Sequence, residues 1–282
     1  MRVSITVNDY SWPDLTVQLG RIAAAADRFG VDTLWVPDHL LQADPQLTLD
    51  GEMPEAYTTL GFLAARTERV RLGTMVTGAT FRPPAVTVKA VTTLDVLSGG
   101  RAWFGIGAGH HEGEARAMGL PFPPTGERFE RMEETVRIAL HMWSGEGGGF
   151  EGKHYHLENP VSSPQPVRRP PILIGGAGER RTLRLVAQYA DACNVFDIPD
   201  GGRTVKHKLA VLARHCAEIG RPYEEIDKTI STRLNPAESA TEFAARCARF
   251  TELGIDHAVV LSPHPWTEAD VALVAEAAAL SG

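Results

Sequence analysis

Short apolar runs alternate along this chain with longer stretches whose apolar residues recur at helical spacing. Val3–Val7 is β-branched and alternating, so it predicts a strand. Leu15–Phe29 places apolar residues three and four apart and stops at Gly30, which predicts a helix with a glycine end. The alternation then continues as strand Thr33–Pro37, helix Tyr57–Arg66, strand Val70–Thr77 and helix Pro84–Leu97, the last with proline at its start and Gly99–Gly100 as its stop. Strand Ala102–Ile106 and a long helix over Gly126–Ser144, capped by Thr125, come next. Strand Ile172–Ile174 feeds a helix running from Glu179 through Tyr189. Strand Ala192–Val195, helix Val205–Ile219, strand Thr229–Leu234, helix Phe243–Leu253, strand Ala258–Leu261 and helix Glu268–Leu280 complete the order. Eight strands alternating with eight helices in this length is the pattern of a (β/α)8 TIM barrel, with a doubly wound open sheet as the alternative. The pattern predicts a single domain over 1–282, with insertions near 40–56 and 145–170.

In such a barrel the chemistry sits at the C-terminal ends of the strands, so the residues that follow each strand are the candidates. Asp38 and His39 follow the second strand and precede a long loop. A histidine there suits proton transfer near neutral pH, and Asp38 could orient it. The third strand leads into TGATFRPP, small residues against which a flat ligand could lie, with Arg82 either an anion contact or a solvated surface group. The fourth leads into GIGAGHHEGE, where alternating glycines imply that something passes close to the backbone. His110 and Glu114 read as pocket residues; His111 and Glu112 read as a solvated loop. Phe150–Arg169 reads as a hairpin insertion, its His154 and His156 on one face of a strand and at the surface. Asn194–Asp197 and Asn235–Pro236 could touch substrate, and Trp266 could either cover the pocket or pack on the last helix.

The stretch PPILIGGAGERR, Pro170–Arg181, is the most informative. Its strand ends in Gly175, Gly176, Ala177 and Gly178 and enters a helix. Free N–H groups at such a turn, with the helix dipole behind them, suit an anion. Without a ligand the same residues make a crowded strand–helix turn. The spacing fits neither a Walker loop nor GxGxxG.

Composition narrows the choice. With 43% hydrophobic and 22% charged residues in 282, the chain can fill an ordinary core. A net charge of −7 argues against a nucleic-acid surface. No apolar run is long enough to span a bilayer, and no signal-peptide pattern opens the chain. Cys193, Cys216 and Cys247 are unclustered, which suits a reducing cytoplasm rather than a disulfide frame or zinc cage. A metal-dependent barrel is disfavoured by the absence of paired histidines on the first strand.

Several segments together resemble the bacterial luciferase-like superfamily, and especially its branch that uses the deazaflavin coenzyme F420. They are LWVPDH (Leu34–His39), LGTMVTGATFRPPAV (Leu72–Val86), GRAWFGIGAGHHEGE (Gly100–Glu114), GLPFPPTGERFERMEE (Gly119–Glu134), MWSGE (Met142–Glu146), FEGKHYHLENP (Phe150–Pro160) and PPILIGGAGERRTLRLVAQYAD (Pro170–Asp191). The resemblance implies a luciferase-like (β/α)8 barrel binding a flavin-like ring at its mouth, with His39 by the reactive ring edge and Asp38 beside it. It implies a non-prolyl cis peptide at Met75–Val76 under the ring. Gly107, Ala108, Gly109 and His110 would line the cofactor, and Gly175–Gly178 would hold its phosphate. It also implies a homodimer. In sugar-phosphate-oxidising members an acidic residue stands where His110 stands here, and the basic residues that grip a sugar phosphate have no clear match. The function implied is F420-dependent hydride transfer to or from a small organic substrate, with His39, His110 and Glu114 as the proton-handling set. The alternatives are a reduced-FMN-dependent monooxygenase and a non-catalytic flavin-binding protein.

Overall fold

A computed structural model describes residues 1–281. Its strands are β1 Arg2–Thr6, β2 Thr33–Asp38, β3 Arg71–Gly78, β4 Ala102–Gly107, β5 Phe150–Glu151, β6 His156–Leu157, β7 Ile172–Gly175, β8 Ala192–Phe196, β9 Asp227–Arg233 and β10 His257–Leu261. Its helices are α1 Leu15–Phe29, α2 Ala56–Ala64, α3 Pro84–Leu97, α4 Glu112–Ala117, α5 Thr125–Ser144, α6 Thr182–Tyr189, α7 Arg203–Ile219, α8 Ala240–Glu252 and α9 Glu268–Leu280. Eight strands close into a parallel barrel in the order β1-β10-β9-β8-β7-β4-β3-β2, and β5 and β6 form a separate antiparallel pair. The open-sheet alternative is therefore excluded.

Two apolar layers hold the barrel. The larger lies between strands and helices. It takes the outward members of each strand, such as Leu34, Leu72, Phe104 and Ile174, against Leu60, Val91, Ile138 and Val186 of the helices. The smaller fills the interior with Trp35, Trp103, Leu173, Ala192 and Val259. The Trp35 and Trp103 rings stand 5.7 Å apart and tilted. Gly73 makes this possible, because a Cβ there would stand 2.7 Å from both tryptophan side chains. The rest of the interior is polar: Trp35 Nε1 donates to Ser4 Oγ at 3.0 Å, and Asn194 bonds Ser231 and Thr229. Asn194 is thus an interior strand residue, whereas exposed Asn235 bonds Glu238. Trp266 packs rather than covers; it is fully buried, and its Nε1 donates to the Thr6 carbonyl at 2.8 Å.

Several local expectations are corrected. Thr125 is the first residue of α5 and not its cap, because Pro124 stands at the N-cap and no side chain caps the turn. The helix after β7 begins at Thr182, not Glu179; Glu179 instead pairs with Lys208 at 2.6 Å and His207 at 3.1 Å of α7. Of the two insertion histidines only His156 lies on a strand; His154 bonds Glu130 at 2.7 Å. The insertion is tied down by two buried carboxylates. Glu134 accepts the N–H groups of Lys153, His154 and Tyr155, and Asp95 accepts that of Val167. Both satisfy loop amides that would otherwise be left unpaired near the core.

Candidate active site

At the C-terminal end of β3 the chain bulges, and the Met75–Val76 peptide is cis, as the resemblance implies. Strand register shifts between Gly73 and Thr77 on the β4 side, so residues 74–76 leave the ladder. Val76 leans across the barrel onto β4 and β7. A Cβ on Gly107 or Gly175 would stand 2.9 Å from Val76 Cγ2, and one on Gly105 would run into the Thr74 carbonyl oxygen. The close neighbour that these glycines admit is therefore the bulge of β3. The residues beyond them remain open. Gly109 has φ +77° and Gly176 φ +98°, conformations that favour glycine, and neither has a tight neighbour at its Cβ position. Ala108, Gly109, Gly176 and Ala177 are half-buried around the mouth, with Gly178 exposed.

His39 follows β2 and faces this mouth with its side chain 17% exposed. Its Nδ1 lies 2.8 Å from Glu114 Oε2. The other Glu114 oxygen accepts the N–H groups of Leu40 at 2.5 Å and Leu41 at 3.1 Å. Glu114 is only 1% exposed. Burial works to raise its carboxyl, but the His39 bond and the two amides outweigh it and hold it below the usual carboxylate range. An ionised carboxylate only accepts, so His39 Nδ1 carries the proton and Nε2 is left as the basic nitrogen. Glu114 reaches His39 because of α4, a helix that sequence pattern did not show. His111 caps that helix by accepting Glu114 N–H on its Nδ1 at 2.8 Å, so His111 is a capping residue rather than part of a solvated loop. His110 is exposed, its ring centroid 5.5 Å from that of His39. Partial desolvation by the packed neighbours, then the charge of His39 and His111, lowers its pKa and favours the neutral ring.

Asp38 stands behind this wall. It is 1% exposed, and both its oxygens accept from Arg82, at 2.6 and 2.9 Å. Arg82 also donates to Glu55 at 2.7 Å and lies over the Tyr57 ring. Arg82 is not a solvated group; it clamps the end of β2 to the start of α2. Tyr57 Oη bonds Thr77 Oγ1, which bonds Thr74 Oγ1, which donates to the Gly105 carbonyl. This chain braces the bulge from below. Removing Arg82 leaves the buried Asp38 carboxylate without its cation, at a cost of about 3–5 kcal/mol, whereas removing Asp38 leaves Arg82 still paired with Glu55. Sequence pattern missed Tyr57, Thr74 and Thr77; the only signal was the small polar run after β3.

Across the mouth, the Gly175–Gly178 turn enters α6, whose first turn has no side-chain cap. Of its leading N–H groups, that of Leu183 donates to the Gly178 carbonyl at 3.0 Å, and the helix dipole favours an anion at this end. Arg181 stands over the Phe129 ring, and Arg180 is exposed. Among the described residues no group of three or more His, Cys, Asp or Glu side chains is arranged to hold a metal ion. No helix among them is long and apolar enough to cross a membrane.

A family model described as luciferase-like monooxygenase matches residues 13–277. The chain belongs to the luciferase-like monooxygenase family. Among curated relatives of this family member, an F420-dependent glucose-6-phosphate dehydrogenase of Kineococcus radiotolerans is 35% identical over 223 residues, covering 77% of this chain and 64% of the relative. A protein of the same name from Nakamurella multipartita is 36% identical over 219 residues, covering 77% and 63%. The chain thus spans a little under two thirds of the length of these relatives. Among solved structures, an F420-dependent secondary alcohol dehydrogenase in complex with an F420-acetone adduct superposes with a TM-score of 0.84 at 18% identity over the whole of both chains. The F420-dependent tetrahydromethanopterin reductase of Methanopyrus kandleri gives 0.78 at 17% identity over 97% of this chain and 96% of that one. An EDTA monooxygenase of a Chelativorans species gives 0.78 at 15%, covering 99% and 93%. These structures share the luciferase-like barrel fold.

Proposed function

We propose that this luciferase-like chain is an oxidoreductase that uses coenzyme F420 and moves a hydride between the deazaflavin C5 and a small organic substrate. The observation that carries the reading is the His39–Glu114 pair, an oriented histidine with its basic Nε2 at the mouth of the barrel. The F420 dependence of the curated relatives supports the choice of cofactor.

The residues present fit such a group. The Met75–Val76 bulge with Ala108 and Gly109 offers a flat, small-residue bed for the ring, and the Gly176–Ala177 turn at the uncapped start of α6 suits a phosphate. When bound, the deazaflavin supplies a carbon that donates or accepts hydride. The protein supplies position and proton handling. When a hydroxyl-bearing carbon is oxidised, His39 Nε2 takes the hydroxyl proton; in the reverse direction it returns it. Glu114 is a positioning residue in this scheme: its oxygens are occupied by His39 Nδ1 and two amides. His110, neutral and beside His39, orients the substrate oxygen.

The phosphate turn is tested by Gly176→Asp. The new residue must adopt φ near +98°, and its carboxylate opposes a phosphate. F420 affinity is expected to fall by about tenfold or more, the scale of about 1–2 kcal/mol of repulsion between the new carboxylate and the phosphate, while the backbone cost falls on folding stability. Fluorescence titration reads the change. Unchanged affinity would remove this turn from the cofactor site.

A further inference from the structure

Going round the barrel, β1 lies opposite β7, β10 opposite β4, and β9 opposite β3. The glycine and bulge residues on β3, β4 and β7 therefore face one particular arc of the mouth, formed by β1, β9 and β10. That arc holds a small cavity of about 40 Å³, lined by Asn8, Asp9, Asp44, Arg233 and Ser262 among others. Against the roughly 10–15 Å³ that a single water needs, it has room for about three water-sized groups, the size of a small polar end of a substrate.

Its walls are already organised. Asp44 Oδ2 accepts from Asn8 Nδ2 at 2.6 Å and from Arg233 Nη2 at 2.7 Å, and Arg233 Nη1 donates to the Ser262 carbonyl at 2.6 Å. The guanidinium at this arc is therefore committed to a carboxylate whose side chain is 5% exposed. Burial works to raise the Asp44 carboxyl, and Arg233, the Gln46 amide and Asn8 hold it low, so it stays charged. What the walls leave unmatched are acceptors. Asn8 is 6% exposed and its Oδ1, buried, has no partner among the described residues. Asp9 Oδ1 accepts from Ser11 N–H and Oγ, while no hydrogen bond to its Oδ2 is present among the described residues. Two residues below Asn8 on the same face of the chain, Thr6 Oγ1 is likewise buried and without a partner.

We infer that this cavity is a substrate subsite for a hydrogen-bond-donating group, a hydroxyl or an ammonium, and that it rejects a phosphate. This deepens the proposed function and rests on it for the word substrate. Two carboxylates stand against one guanidinium, and that guanidinium is already paired. A dianion entering here meets net repulsion and no free cation, whereas a donor satisfies Asn8 Oδ1 and Asp9. The subsite lies across the mouth from the cofactor bed, with His39 on β2 between the two arcs. A substrate carrying a donor at one end and the reacting carbon at the other would span that gap.

The test uses the protein without cofactor, so a failure of the F420 reading leaves it unaffected. Backbone amide NMR is recorded while glycerol, ethylammonium and inorganic phosphate are titrated separately. Saturable shifts at Asn8, Asp9 and Ser262 with glycerol or ethylammonium in the millimolar range, and none with phosphate, are expected; which of the two binds identifies the donor as hydroxyl or ammonium. In Asp9→Asn, ethylammonium or glycerol binding weakens by about tenfold, the scale of a lost bond to a charged group. In Asp44→Ala, Arg233 is released and phosphate binding appears. Shifts with phosphate in the unaltered chain overturn the inference. So does the absence of a saturable shift with either donor, which would mean that ordered water alone satisfies these acceptors.

Discussion

His39→Ala is expected to lower turnover by roughly 10²–10⁴-fold while F420 affinity stays within about tenfold, because general acid–base catalysis contributes on that scale and the cofactor bed is built from other residues. The bed consists of the β3 bulge and the turns after β4 and β7, and none of these depends on the imidazole. Added imidazole restores part of the His39→Ala rate, since it replaces the missing base. Glu114→Gln separates positioning from proton transfer. The amide oxygen still accepts from Leu40 and Leu41, but the partner that fixes the His39 tautomer is neutralised. A fall of about tenfold to hundredfold that imidazole does not rescue is the expected outcome. Full activity in His39→Ala would take this residue out of the reaction.

Gly105→Ala should cost about 3 kcal/mol or more of folding stability and abolish cofactor binding with it. The added methyl runs into the Thr74 carbonyl oxygen, a backbone atom that the Thr74–Thr77–Tyr57 chain holds in place. Gly107→Ala is the control. Its methyl meets a Val76 methyl at 2.9 Å, a side chain that can turn aside, so the loss is smaller. Chemical denaturation of the two variants checks the order. Equal costs would show that the bulge is softer than its bracing suggests.

The barrel was legible because every strand is a short apolar run bounded by a helical period, and that alternation has few other solutions. The glycines after β3, β4 and β7 were legible as close-approach positions. What approaches Gly105, Gly107 and Gly175 was not, because Val76 comes from another strand and its course depends on the bulge. Helix α4 escaped notice because EGEARA is six residues with no apolar face; His111 as a cap and the buried Glu114 specify it, and both act through tertiary contacts. Arg82 meets Asp38 across 44 positions, and Glu114 meets His39 across 75. Charges that far apart in the chain carry no sign of their pairing. Glu114 was visible as a pocket residue, while its work as the support of His39 needed the fold. The polar arc of Asn8, Asp44 and Arg233 is hidden for the same reason: its parts come from opposite ends of the chain.

A parallel titration of the purified chain with F420 and with FMN, followed by fluorescence, decides which cofactor the barrel takes. Saturable binding of F420, weakened by Gly176→Asp, is expected, with FMN binding much more weakly. Deazaflavin has carbon at position 5 and reacts poorly with oxygen, so the F420-loaded chain should also consume no oxygen. Tight binding of FMN with none of F420 would overturn the deazaflavin assignment and point to a flavin monooxygenase of the same family.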